Sequence, residues 1–211
     1  MNNPIIYLIS EGNLTVENFE EKKPRFLEII KTAVENSVSL IQIREKKLTA
    51  KLVFELTSRA AKITNHCETK LLVNDRADIA LAAKADGVHL TENSILPEII
   101  RRSFPENFIV GVSAHTLETA ERAKLQGADF VTLSPVFDSP GKGAPLGLEK
   151  FSEVSKKLTP FPVIALGGIG EKNFAPVLDS GASGLAAIRF LNNRKNLKMI
   201  GREIMQSDDS K

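Results

Sequence analysis

Ser39-Leu40-Ile41-Gln42-Ile43-Arg44-Glu45-Lys46 opens on apolar residues and closes on charge. The same figure returns at Leu71-Leu72-Val73-Asn74-Asp75-Arg76 and at Ile109-Val110-Gly111-Val112-Ser113-Ala114-His115. Short apolar runs rich in branched residues read as strands buried on both faces, as in a parallel sheet. Cations, an amide, a carboxylate and a hydroxyl at the same end of successive strands suit the carboxyl rim of a parallel barrel, where a phosphorylated substrate and a metal ion can be held.

Working outward, the apolar runs predict strands over Ile5–Ser10, Leu40–Glu45, Lys70–Asp75, Gly87–Thr91, Ile109–Ala114, Phe130–Pro135, Pro162–Gly167 and Leu185–Phe190. Helical periodicity between them predicts helices at Pro24–Asn36, Ala50–His66, Ala77–Ala83, Leu96–Ser103, Leu117–Gln126, Leu148–Lys157, Asn173–Ser180 and Leu197–Met205. Three of these helices step into the next strand through small residues, at Ala85-Asp86-Gly87, Gly127-Ala128-Asp129 and Gly181-Ala182-Ser183, a weak internal echo. An open doubly wound sheet would share such local patterns. Eight even units in 211 residues favour the α/β class and a single (β/α)8 TIM barrel over residues 1–205, with a polar C-terminal tail over 206–211.

A chain of this length, 42% hydrophobic and 26% charged, is large enough to bury one continuous core. Its 28 Lys and Arg against 26 Asp and Glu leave a formal charge of +2, too little to point to nucleic acid or a membrane surface. Any affinity for anions is therefore local. The only cysteine, Cys67, excludes an internal disulfide and a multi-thiolate metal site, and a reducing cytoplasm is the expected compartment. The start, Met1-Asn2-Asn3-Pro4, leads straight into a strand without a basic leader, so no signal peptide or membrane span is expected. A homo-oligomer stays open.

Within an extended strand Gln42, Arg44 and Lys46 share one direction, with Ile43 and Glu45 opposite. They form a basic wall fit to grip phosphates, unless they merely pair with one another or with Asp75. Asn74 and Asp75 precede a helix, so Asp75 reads either as its N-cap or as a Mg2+ or diphosphate contact. The basic wall favours the second. Ser113 and His115 alternate onto one face, with Thr116 as the cap of the next helix; His115 is an acid-base or substrate-bonding candidate. His89 is expected to point into the barrel and His66 outward, neither with an assigned role. The loop Ser134 to Gly147, with Ser139 and Lys142, reads as a closing anion loop or as ordinary surface. Gly167-Gly168 and Arg189, late in the chain, suit a barrel phosphate site.

Taken together, these motifs with Ala85-Asp86-Gly87-Val88-His89-Leu90, Ser134-Pro135-Val136-Phe137 and Gly167-Gly168-Ile169 resemble the thiamine-phosphate synthase family and its relatives, the thiazole tautomerases. The resemblance spans nearly the whole chain. It implies a transferase of thiamine biosynthesis that joins a hydroxymethylpyrimidine diphosphate to a thiazole phosphate, with Mg2+ as cofactor. By that resemblance Gln42, Arg44, Lys46 and Asn74 meet the pyrimidine diphosphate, and Asp75 ligates Mg2+. It likewise gives Ser113 the pyrimidine, Lys142 the departing pyrophosphate and Gly168 the thiazole phosphate, with Ser139 as a further substrate contact.

Three departures stand out. Ser94 occupies the place of a second Mg2+-binding carboxylate, which leaves the metal weakened, helped by Glu92, or lost. Ser139-Pro140-Gly141-Lys142 replaces the usual Thr-x-Thr-Lys, and Arg189 replaces a serine at the thiazole phosphate. These lean toward the tautomerase branch, in which a histidine at the His115 position is catalytic, whereas the intact basic wall favours the synthase. Isomerases of phosphoribosyl intermediates and a non-catalytic phosphate-binding barrel remain as alternatives.

Overall fold

The computed structural model describes residues 3–209. Strand and helix alternate through β1 (Ile5–Ile9), α1 (Phe19–Glu35), β2 (Leu40–Ile43), α2 (Ala50–Thr64), β3 (Lys70–Asn74), α3 (Ala77–Ala82), β4 (Gly87–Leu90) and α4 (Pro97–Ser103). The second half repeats the order with β5 (Ile109–Ala114), α5 (Leu117–Leu125), β6 (Phe130–Leu133), α6 (Gly147–Leu158), β7 (Val163–Leu166), α7 (Phe174–Asp179), β8 (Gly184–Ala187) and α8 (Arg194–Asp209). All neighbouring strands pair in parallel, and β8 returns to β1 through Ile5↔Gly184 to Leu8↔Ala187, so the sheet closes. This is the expected (β/α)8 barrel.

Strand alternation sorts the apolar side chains into two layers. Ile6, Leu8, Ile41, Leu71, Val131 and Leu185 face outward and pack with helix residues such as Phe19, Leu56 and Phe151. Tyr7, Ile9, Leu40, Leu72, Phe130, Ile164 and Ala186 fill the interior. His89 joins that inner layer as expected, its ring 5.7 Å from Tyr7 and 5.9 Å from Phe130 between centroids. The space for this trio comes from Gly111, where a Cβ would lie 2.3 Å from Phe130 Cζ and 2.7 Å from His89 Nδ1.

Several boundaries differ from the sequence expectation for local reasons. Helix α1 starts at Phe19, ahead of Pro24. Phe19 is buried, and Lys23 is clasped by Glu20 and Glu55, which holds the extra turn in place. Strand β2 stops at Ile43, because Glu45 turns inward and its carboxylate accepts from Gly12 N and Leu14 N, both at 3.0 Å. Alternation therefore does not extend to Lys46, which lies exposed in a turn. Helix α8 begins early, with Asn193 Oδ1 accepting from Lys195 N at 2.9 Å, and runs on through 206–209. Residues 210 and 211 of the expected tail lie outside the described residues. Among the described residues no helix is long and apolar enough to cross a membrane.

Overpacking of the barrel interior gives a direct test. Gly111→Ala should cost about 1–3 kcal/mol of stability, read as a lower urea midpoint with an unchanged m-value.

Candidate functional site

The carboxyl rim is tied together by its own polar groups. Ser10, just beyond β1, accepts from Arg44 N at 2.8 Å, and Asn192 Nδ2 donates to Ile9 O at 2.8 Å, linking the end of β8 to β1. With the Glu45 clamp, these bonds set the level at which the first two strands release their side chains.

Asp75 sits in the left-handed region at φ 60°, a conformation that short polar side chains tolerate best. Its amide donates to His89 O at 2.9 Å, which pins the end of β3 to β4. The carboxylate does not cap α3, whose N-cap is Arg76 without a side-chain bond. Instead Oδ1 accepts from Thr91 N and Thr91 Oγ1, each at 3.1 Å, and from Ser94 Oγ, while Asn74 Nδ2 donates to Oδ2 at 2.6 Å. The capping alternative for Asp75 is thus set aside.

Ser113 on β5 and His115 beyond it line a cavity of about 420 Å³ together with Thr91, Ser94, Arg122 and an apolar wall of Ile95 and Leu96. His115 Nδ1 lies 2.6 Å from Ser134 O; a carbonyl only accepts, so the proton is on Nδ1 and Nε2 is free to accept. Thr116 caps α5 in a reciprocal pair with Thr119, as expected.

Below the rim, His89 bridges the barrel. Its Nδ1 is 3.1 Å from Tyr7 Oη and its Nε2 is 3.0 Å from Ser113 Oγ. Burial pushes the imidazole down to about 4, opposed by the Asp75 carboxylate and reinforced by the Arg44 guanidinium. The same burial holds the Tyr7 phenol well above its ordinary range. Gln42, fully enclosed on β2, has an Nε2 with no hydrogen-bond partner, and so does Thr132 Oγ1, whose residue stands beside Ser113 in the β5–β6 register.

The remaining expected residues share the rim, and among the described residues their side chains make no bonds to one another. Arg44 is half-buried, and Lys46, Lys142 and Arg189 are exposed; among the described residues none of these cations has a carboxylate within 4.0 Å. Arg44 therefore does not pair with Asp75. Ser139 O accepts from Lys142 N at 3.1 Å, which turns the β6–α6 loop. Gly168 has φ 67°, and a Cβ there would lie 2.6 Å from Asp138 O, so close packing against that loop is one reason for glycine. Tyr7, Glu45 and His89 carry much of this arrangement, and sequence reasoning assigns a role to none of them. Glu45 lies in the alternate register of the basic wall, and a tyrosine or histidine inside a strand looks like any core aromatic.

Residues 6–191 match the family model described as thiamine monophosphate synthase. A relative from Aquifex aeolicus is 41% identical over 187 residues, covering 88% of this chain and 96% of its own. The thiamine-phosphate synthase of Methanobrevibacter smithii is 31% identical over 198 residues, covering 93% of this chain and 94% of its own. Among solved structures, the thiamine phosphate pyrophosphorylase of Pyrococcus furiosus superposes with a TM-score of 0.78 at 28% identity, covering 95% of this chain and 96% of that one. This chain belongs to the thiamine monophosphate synthase family.

The buried neutral imidazole sets a pH dependence. The His89 value of about 4 lies below the ~6.5 of an unfolded histidine, so the unfolded state takes up the proton first. Its contribution is complete above about pH 6.5 and falls by about 3 kcal/mol on acidification toward about pH 4. Measured by urea unfolding without divalent cations, the difference between wild type and His89→Gln should shrink across that window. A difference that stays constant would contradict the assignment.

Proposed function

We propose that this protein is a thiamine-phosphate synthase, joining 4-amino-5-hydroxymethyl-2-methylpyrimidine diphosphate to thiazole phosphate to give thiamine phosphate and pyrophosphate. The observation that carries this reading is the charge pattern of the rim. Arg44, Lys46, Lys142 and Arg189 stand there without carboxylate partners among the described residues, on the same rim as the Asp75 carboxylate. Unpaired cations on one rim suit a substrate pair carrying three phosphoryl groups.

The chemistry breaks the bond between the pyrimidine methylene carbon and the diphosphate oxygen, and the electron pair leaves with pyrophosphate. The thiazole nitrogen then supplies the pair for the new C–N bond. No proton has to move, so charge stabilisation is the main task. Arg44 and Lys46 bind the diphosphate with Asn74, and Gln42 faces the pyrimidine end from inside the barrel. Lys142, with Ser139 on the same loop, meets the departing pyrophosphate. The Gly168 amide and Arg189 take the thiazole phosphate, Ser113 contacts the pyrimidine ring, and His115 offers its free Nε2 to bound substrate.

The residues fit Mg2+ held in a particular way. Among the described residues no three acidic, histidine or cysteine groups converge as a metal cage. Asp75 Oδ2 carries only the Asn74 bond, and a single carboxylate suits a cation that draws its other ligands from substrate phosphates and water. When bound there, Mg2+ supplies positive charge that stabilises the leaving pyrophosphate. Cys67, unbridged, accords with a cytoplasmic enzyme.

His115 supports a second reading. Its Nε2 is free while Nδ1 is fixed on Ser134 O, an arrangement suited to proton transfer in a thiazole tautomerase. Such an enzyme would have no need of the basic wall of Gln42, Arg44 and Lys46.

Purified protein given both substrates should form thiamine phosphate, read as fluorescent thiochrome, only with Mg2+ present. Absence of product under both conditions sinks the synthase reading. Ser94→Asp should place a second carboxylate beside Asp75, lowering the apo melting temperature and the Mg2+ concentration at half-maximal rate by about tenfold.

A further inference from the structure

The helical layer around the barrel is broken at one place. Strand side chains that point away from the interior are buried all round the ring, from Ile6 and Leu8 on β1 to Leu185 and Ala187 on β8. Among the described residues the one exception is Val112 on β5, which is only partly buried. The helices beside it leave a gap. Helix α4 is seven residues long, and the stripe of α5 that faces the gap is Thr119, Arg122, Ala123 and Gln126, none of them a large apolar residue.

This gap is the outer part of the cavity of about 420 Å³, a size typical of small-molecule sites. Leu90 and Val112 form its floor, facing away from His89 and Ser113 across the sheet, and Ile95, Leu96 and Ala123 add apolar walls. Thr91 and Ser94, which hold Asp75, also line it, so the cleft adjoins the rim through the β4–α4 loop. Two ionic groups line it as well. Among the described residues neither Arg122 nor Glu92 has an opposite charge within 4.0 Å, so they do not neutralise each other. Glu92 lies exposed in the turn after β4, whereas Arg122 belongs to the α5 stripe that forms the cleft. An unpaired guanidinium beside apolar surface suits a carboxylate or phosphate on a ligand whose body is apolar.

We propose that the cleft between α4 and α5 is an accessory binding site for a compact apolar ring carrying one phosphate or carboxylate, with the ring against Val112, Ile95 and Leu96 and the anion on Arg122. The ring supplies the apolar cover that helices give every other outward strand residue, and Arg122 fixes its orientation. Arg44, Lys46, Lys142 and Arg189 do not line the cleft, which makes it a separate site from the one proposed for the diphosphate. The proposal does not rest on the synthase reading.

The test uses the full chain with 13C-labelled Ile, Leu and Val methyl groups, titrated with phenyl phosphate, benzoate and the neutral benzyl alcohol. Phenyl phosphate or benzoate should shift the methyl signals of Ile95, Leu96 and Val112 in a saturable way. Binding should weaken about tenfold for benzyl alcohol and for either anion in Arg122→Gln. The tighter of the two anions names the group that the site takes. Val112→Phe, which fills the floor, should abolish the Ile95 shift; if that variant does not fold, Gln126→Phe, filling the cleft from α5, carries the same expectation. A saturating mixture of Mg2+ and inorganic pyrophosphate should leave the shifts in place. No saturable shift at these methyls, shifts of equal affinity in Arg122→Gln, or displacement by the pyrophosphate mixture, which would assign the probe to the rim, overturns the accessory site.

Discussion

Closing eight parallel strands into a ring forces every strand to end on the same rim. Side chains far apart in sequence, from Arg44 to Arg189, are thereby gathered at one end of the molecule, and the backbone groups released there need partners. This chain meets the second demand with side chains rather than regular structure. Glu45 takes two amides of the β1 loop, Ser10 takes the amide of Arg44, and Asn192 reaches the carbonyl of Ile9. Groups outside the chemistry thus hold the rim, which frees the cations for an external anion.

The same economy governs Asp75. Held at a positive φ and pinned by its amide to His89 O, its carboxylate faces the β4 loop instead of the helix that follows. Ser94, standing where relatives are expected to carry a second acid, donates a hydroxyl to it. The exchange replaces repulsion between two carboxylates with a hydrogen bond. Under the proposed function, Mg2+ would then rely largely on the substrate phosphates for its ligands.

Most of the architecture was legible in the sequence because a barrel strand announces itself twice, through an apolar run and through the polar residues that end it. The alternation of Gln42 and Arg44, the inward direction of His89 and the Thr116 cap all follow from local pattern. What escaped were features set by contacts across the ring. Glu45 stops β2 because the β1 loop needs an acceptor, so Lys46 leaves the strand register. Pro24 reads as a helix start, yet burial of Phe19 and the clasp on Lys23 carry α1 past it. Tyr7 and His89 become a polar bridge only when β1, β4 and β5 meet around Gly111. No spacing within one segment encodes such a meeting.

The central claim is that the unpaired cations and the Asp75 carboxylate of the rim form one site for a metal-bound diphosphate. Calorimetric titration of the protein with inorganic pyrophosphate, with and without Mg2+, tests it most directly. The account predicts saturable binding of one equivalent that needs Mg2+, weakens with added salt and is lost in Arg44→Ala. Binding that ignores Mg2+ and survives Arg44→Ala, or no binding at all, would contradict it.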